Sequence, residues 1–341
     1  MGADPRFFER LGPLTAGELA ARIGARCDGD ASTPVSDVAE PAGAPQGALV
    51  FLTRIPVEPV SAPGVVVIAP EAAAGLIEAS AILIHEAPRA AFARAAALLL
   101  TLRLHDGPEL IAASAQINAT ARMAPGVIIG PDAQIGAHAK IGPGAVIGPG
   151  VVIGEHTRIG ARAAIQCAVV GERCEISAGA VVGEAGFGLA YEGEAVLTVP
   201  HLGRVLIEDE VTIGANSTID RGMLRDTVLG RGCRIDNLCH IAHNVRVGDH
   251  TVMAGFAGVS GSVEIGPRAL LGGRVGIADH LKIGAGARLA ADAAVMNDVP
   301  AGQHWAGSPA QPMRHFMREV AWLRRQVARK PKKAEPGEGG A

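Results

Sequence analysis

The chain has 341 residues, with 31 Lys plus Arg against 34 Asp plus Glu, a formal charge of −3 and hydrophobic residues at 48%. That balance excludes a disordered polyampholyte and the basic footprint of a general nucleic-acid binder. Aromatics reach only 3% while Gly counts 45, which disfavours a core centred on aromatic rings and favours a backbone that turns often and stacks small aliphatic side chains.

Residues 1–106 read as a small α/β domain. The opening MGADPRFFERLG carries acids and lacks the apolar core of a signal peptide. Thr15 and Glu18 stand at capping-box spacing, which predicts a helix ending near Gly24. Residues 65–69 and 81–85 read as buried strands, and 88–104 as an Ala-rich helix with Pro at its start. The apolar run 95–100 falls far short of the about 18 residues a membrane span needs, so no integral membrane segment is expected. Five cysteines without a CxxC pair fit a reduced, cytoplasmic chain, in which each Cys is a small packing residue.

From Ile111 every sixth residue is apolar: Ile117, Met123, Ile129, Ile135, Ile141, Ile147, Ile153, Ile159 and Ile165 follow without a miss. The register slips by one, resumes at Val170, Ile176 and Val182, breaks, and returns at Ile207, Ile213 and Ile219. A last run goes from Leu229 to Val295, twelve positions in step. A period of six fits neither a helix nor an uninterrupted strand; it fits short flat strands joined by turns, each hexad supplying one inward side chain. Three hexads close one triangular coil of a parallel β-helix, coils stack at about 4.8 Å, and the positions above make about nine coils over residues 107–305. Gly is expected to supply corners of unusual φ. Spacing alone leaves the hand of the coil open.

Two excursions interrupt the period: 184–204 (EAGFGLAYEGEAVLTVPHLGR), which holds the only Tyr, and a short one at 221–227. Long excursions from a solenoid are frequently binding elements. After the repeat, residues 306–330 read as a helix whose Met313, Phe316, Val320, Leu323 and Val327 alternate spacings of three and four. Two heptads are too short to hold alone, so this seam is expected to pack on neighbouring subunits, with Arg314, Arg318, Arg324, Arg325, Arg329 and Lys330 on the outer faces. Residues 331–341 read as a solvated, disordered tail.

The repeat also turns separation into geometry. His243 and Gly261 are 18 residues apart and occupy equivalent points one coil apart; His280, 37 beyond His243, falls on nearly the same edge. An imidazole with an ordinary pKa of about 6.5 serves as a base near neutrality, and a Gly amide donates to a developing oxyanion. Together they form a constellation suited to acyl transfer. The cluster His240, His243 and His250 raises a zinc reading, but these residues lie on different hexads with no obvious further ligand, and no metal is expected.

The prism of hexads, IDNLCHIAHNVRVGDH at 235–250, the excursion with its VPHLGRV, and TIDRG at 218–222 together resemble LpxD, the UDP-3-O-(3-hydroxyacyl)glucosamine N-acyltransferase family of lipid A synthesis. The resemblance implies a mainly β protein: a left-handed parallel β-helix with an N-terminal α/β uridine-binding domain and a C-terminal α-helix. It implies that His243 is the general base, Gly261 the oxyanion amide, and His280 a group that binds substrate or intermediate. Asp236 would orient or polarise His243 across a subunit boundary, and Asn244 would face substrate or cap a turn. The family's uridine pocket uses an aromatic, then Asn three residues on and Tyr six on; here Phe51 is retained, but Arg54 and Val57 stand at the other two positions. Phe51 would stack on the base and Arg54 pair with a phosphate.

The implied acyl donor is a (R)-3-hydroxyacyl chain on the phosphopantetheine of acyl carrier protein, with no other cofactor, and the basic flanks of the C-terminal helix suit that acidic partner. A homotrimer with its groove between subunits is implied. Ala290, Ala291, Ala293 and Ala294 are uniformly small, which predicts a long acyl groove there. Another nucleotide-sugar N-acyltransferase using acetyl-CoA is the alternative that the altered uridine segment leaves open; a purely structural β-helix would have no need of the His243–Gly261–His280 edge.

Overall fold

The structure, a computed structural model, describes residues 2–328; the expected tail at 331–341, with Arg329 and Lys330, lies outside them. The first helix, α1 (Ala16–Ile23), forms as its sequence predicts. The Thr15 hydroxyl accepts the Glu18 amide, the Glu18 carboxylate accepts the Thr15 amide, and Gly24 closes the helix at φ 74°. Its Ala16, Leu19, Ala20 and Ile23 face a five-stranded sheet ordered Arg26–Gly29, Ile77–Ile84, Val60–Ala69, Ala48–Phe51, Asp37–Val38. Only the Arg26–Gly29 edge runs antiparallel to its neighbour.

The second helix, α2 (Pro88–Leu99), starts at the expected proline but stops short of 104. Leu100–Leu102 is instead a strand, antiparallel to Phe8–Arg10, and the Leu11 amide donates to the Leu99 carbonyl. No glycine or charge ends the Ala-rich run; a partner from the chain's beginning does, by offering the backbone a ladder in place of further helical turns.

Each hexad then contributes a two-residue strand with one outward and one inward side chain. Three faces result. The first runs from Gln116–Ile117 to Lys282–Ile283, nine strands, and the third from Ile128–Ile129 to Ala294–Val295, nine strands. The second begins at Arg122–Met123 and ends in Trp305 and its neighbours paired with Gln311–Pro312. Pairing is parallel at an offset of 18, as in His240↔Gly258 and Ile241↔Val259. The one-residue slip is absorbed before Val170, which pairs with Ile153, and the excursions are absorbed where Val170 meets Ile207 and Ile207 meets Leu229. Inward Ile and Val are at most 3% exposed from Ile129 to Val295 and are continuous with the core of the N-terminal domain. Each such burial contributes about 1.5–3 kcal/mol.

The glycines do two jobs, only one of which was expected. Several do hold positive φ, but most left-handed corners carry other residues, among them Asn244, Ser262 and His280 at φ 62°, 62° and 59°. Glycines that follow the inward aliphatic have ordinary φ and are needed for close approach instead: a Cβ at Gly160 would lie 2.4 Å from the Ala178 amide in the next coil.

The last helix, α3 (Met313–Ala328), rests on the end of the prism, with Phe316 against Gly307. Met313, Phe316 and Val320 are half-buried, whereas Leu323 and Val327 are 55% and 85% exposed, so the far half of the seam is uncovered in one chain. Among the described residues no helix is long and apolar enough to cross a membrane.

Candidate active site

The long excursion folds as a hairpin, Leu189–Glu192 against Ala195–Thr198, and leans on the N-terminal domain through an ion pair of Arg94 with Glu192, beside His85. Its two roots are tied together by Arg221 of the TIDRG motif. This buried guanidinium donates from Nε to the His201 carbonyl and from Nη1 to the Gly183 carbonyl, both at 2.7 Å. A planar donor fork that reaches both carbonyls ties the two roots of the excursion to each other. Gly186 and Gly188 then pass so close to the core of the site that no side chain fits: a Cβ at Gly186 would lie 2.6 Å from His243 Cβ.

His243 sits half-buried in the turn after His240–Ile241. Its Nδ1 is 3.1 Å from Asn244 Oδ1. The surrounding bonds decide the direction of that contact. Asn244 Oδ1 accepts the Met223 amide and its Nδ2 donates to the Arg225 carbonyl, so the oxygen faces the ring and Nδ1 carries the proton. Nε2 is left with its lone pair. Asn244, placed by sequence between a substrate contact and a turn cap, is therefore the group that orients the imidazole and fixes its tautomer, as a partner on one ring nitrogen does for the other.

The expected stacking of His243 on Gly261 is present and tight. The Ser262 amide donates to the His243 carbonyl at 2.9 Å, and a Cβ on Gly261 would fall 2.6 Å from His243 Cε1 and 2.8 Å from Nε2. Only glycine leaves room for the ring. Among the described residues the Gly261 amide has no hydrogen-bond partner, so a donor is free one coil from the His243 ring. His280 lies on the same edge, its amide donating to the Gly261 carbonyl at 3.0 Å and its side chain 75% exposed.

Asp236 is elsewhere in this chain. Its carboxylate accepts the amides of Asn237 (2.7 Å) and Gly255 (3.0 Å) at the corner between the second and third faces, one corner away from His243. The acid that faces the His pair within the chain is Asp220, 9% exposed, whose Oδ2 is 3.7 Å from His240 Nε2. Burial raises the Asp220 carboxyl above its ordinary value, against the pull of His240 and His243. His250 packs over Gly232 on another corner, so the three histidines of the zinc reading do not converge.

A groove of about 730 Å³ runs along the third face past His240, His243, Gly261 and His280. Its floor is the outward column Gly258, Gly276 and Ala294, and Arg89 at the start of α2 and the exposed Phe187 of the excursion overhang it. Of the four alanines only Ala294 belongs to it: Ala293 points into the prism at 0% exposure, and Ala290 and Ala291 lie in the turn after the second face, because the hexad phase sends each to a different direction. Phe51 and Arg54 do not line the groove in this chain. Phe51 is half-buried against Phe92, ring centroids 4.5 Å apart, and Arg54 is exposed.

Four of the five cysteines are buried, and burial pushes the Cys167 thiol up to about 12 and Cys233 up to about 11, so neither offers a thiolate near neutrality. Sequence reasoning assigned no role to His201, Asp220, Arg221 or Arg89. The VPHLGRV and TIDRG motifs held three of these residues, but the partners that give them meaning are joined only when the excursion folds back.

Residues 132–167 and 226–261 match the family model of bacterial transferase hexapeptide (six repeats), and 204–237 match the hexapeptide repeat of succinyl-transferase. The chain is similar to the UDP-3-O-acylglucosamine N-acyltransferase of Maricaulis maris, 51% identical over 99% of this chain and 100% of that one. It is also similar to those of Caulobacter sp. strain K31 (47%; 95% and 97% covered) and Caulobacter vibrioides (49%; 95% and 97% covered). Among solved structures it resembles LpxA from Acinetobacter baumannii at 28% identity, with 67% of this chain and 86% of that chain covered and a TM-score of 0.48. With half of its residues identical to a relative along nearly its whole length, the chain belongs to the UDP-3-O-acylglucosamine N-acyltransferase family, built on a parallel β-helix of hexapeptide coils.

Proposed function

We propose that the protein transfers a (R)-3-hydroxyacyl chain from the phosphopantetheine of acyl carrier protein to the 2-amine of UDP-3-O-(3-hydroxyacyl)glucosamine, in the cytoplasm. The observation that carries this reading is the pairing of a base and a donor on one groove: His243 Nε2, left by the Asn244 contact as the lone-pair nitrogen of the neutral ring, beside the Gly261 amide, which has no hydrogen-bond partner among the described residues. The amine nitrogen attacks the thioester carbonyl, forming C–N while His243 Nε2 takes the amine proton. The carbonyl oxygen gathers negative charge, which the Gly261 amide stabilises. Collapse breaks C–S, and the proton on His243 passes to the departing thiolate, so base and thiol both end as they are needed for the next cycle. No covalent acyl-enzyme and no metal is required.

His280, exposed on the same edge, binds the substrate, and the column Gly258–Gly276–Ala294 carries the acyl chain. Arg89, which has no ion pair among the described residues, supplies a cation for a phosphate of either substrate. In a homotrimer, the neighbouring subunit would bring its Asp236 corner and its Phe51 and Arg54 toward this groove, where Phe51 stacks on uracil and Arg54 meets a phosphate; a monomer would then be inactive. The uncovered half of α3, flanked by Arg314, Arg318, Arg324 and Arg325, suits both subunit packing and an acidic carrier protein.

The test is transfer itself: 3-hydroxyacyl-acyl carrier protein and UDP-3-O-acylglucosamine are incubated with the protein, with thiol release and product mass followed. The reading expects stoichiometric thiol and a diacylated sugar nucleotide. Thiol release with acetyl-CoA but not with the acyl carrier protein donor would replace it with the acetyltransferase alternative.

A further inference from the structure

Directly behind His243 lies a second imidazole that the reaction above does not use. His201, at the foot of the excursion, is 2% exposed, and its ring centroid is 4.9 Å from that of His243 with the planes tilted by 60°. Its Nδ1 lies 3.0 Å from the Val199 carbonyl. A carbonyl can only accept, so Nδ1 bears the proton and Nε2 is the atom with the lone pair. That Nε2 is buried and has no hydrogen-bond partner among the described residues, which is rare for a polar atom so enclosed. It points toward the space beside His243, since the methyl that Gly186 lacks would lie 2.7 Å from His243 Cδ2 and 2.9 Å from His201 Nε2. Gly188 bares the other side of the ring, where a Cβ would meet Cε1 at 2.7 Å. Two glycines and a guanidinium on the His201 carbonyl thus hold one unpaired nitrogen against the back of the base.

We propose that His201 is a positioning residue for the transfer reaction: an imidazole whose Nε2 lone pair faces His243 and stabilises the imidazolium that forms when His243 takes the amine proton. The inference rests on His243 being the base. An imidazole proton-bearing at Nδ1 and bare at Nε2 is a dipole with its negative end at Nε2, and in a buried setting such a dipole acts at close to full strength. The alternative, two protonated imidazoles in contact, is opposed by burial first and then by the neighbouring His243 charge, which together push His201 down to about 4. Further charges face this pair: Arg221 and Arg89 toward His201, and Asp220, itself flanked by His240 and Glu184, toward His243. The two arginines disfavour a cation on His201, which leaves the ring that faces the groove to take the amine proton.

Three measurements test this, two of which need no acyl transfer. In the unmutated protein, nitrogen-15 NMR should show His201 as the Nδ1–H tautomer, untitrated between pH 5 and 8; an Nε2–H tautomer would reverse the dipole and overturn the proposal. In His201→Phe, which keeps a ring and removes the lone pair, the pH dependence of diethyl pyrocarbonate labelling at His243 should move to lower pH by about one unit. The acidic limb of kcat/KM should move with it, while His201→Gln, which restores an acceptor, should bring both most of the way back. A uniform loss of rate at all pH values with labelling and limb unmoved would reduce His201 to packing. Should the Phe variant not fold, the tautomer and the Gln variant decide. Absence of acyl transfer in the unmutated protein, with tautomer and labelling as expected, would fault the assigned substrates and not His201.

Discussion

Replacing Gly261 with Ala isolates its contact with His243. The new methyl would stand 2.6 Å from His243 Cε1, about 0.8 Å inside ordinary contact at 3.4 Å. Retreat of the ring is opposed on its far side, where even a Cβ built on Gly186 would lie 2.6 Å from His243 Cβ, with the His201 ring beyond it and Asn244 on Nδ1. The imidazole must swing off its line, and a misplacement of about 1 Å at a reacting atom costs on the order of 10²-fold in rate. Stability should move the other way. Gly261 has no positive φ, so the added methyl restricts the unfolded chain and contributes about 0.4–1 kcal/mol before the local clash is counted. The assay is kcat for thiol release beside a thermal melt. We expect kcat down about 10²-fold with an unchanged or only slightly shifted Tm. Turnover within about threefold of the unmutated protein would show that the ring is not confined as described, and the reasoning from the glycine contact would fail.

Three further outcomes follow from the same geometry. Asn244→Leu removes the acceptor that selects the Nδ1–H tautomer and should lower kcat about 10–10²-fold with little change in KM, read by steady-state thiol release. Ala294→Leu should shorten the preferred acyl chain: excluding two methylenes at about 0.8 kcal/mol each weakens the longest donors about tenfold, visible in a chain-length series. Arg221→Met breaks two charged hydrogen bonds to buried carbonyls at about 1.5–3 kcal/mol each and should speed chymotrypsin cleavage at Phe187 and Tyr191; unchanged cleavage would mean the excursion is held by something else.

The prism was readable because each hexad commits one side chain to the interior, and a single inward Ile or Val in six leaves an unmistakable period. His243 and Gly261 were readable for the same reason, since a constant 18-residue offset is a distance. What depended on partners far along the chain was not readable. The end of α2 is set by Phe8–Arg10, some ninety residues earlier, and nothing local in Leu100 and its neighbours says so. The orienting group of His243 in this chain is its neighbour Asn244, an identification that needed the Met223 and Arg225 backbone to point the amide. The four alanines looked alike in sequence, yet the alternation of inward, outward and turn positions assigns only Ala294 to the groove. His201 and Arg221 acquire their roles when the excursion closes, and the excursion is the one stretch where the period offers no guide.

In the proposed reaction His243 Nε2 removes the amine proton as nitrogen meets the thioester carbonyl. His243→Gln, which keeps the size of the side chain and removes the basic nitrogen, tests it most directly by single-turnover transfer from 3-hydroxyacyl-acyl carrier protein. A fall of about 10²–10⁴-fold in a protein of unchanged fold is the predicted result; a rate within tenfold of the unmutated protein would contradict the assignment of the base.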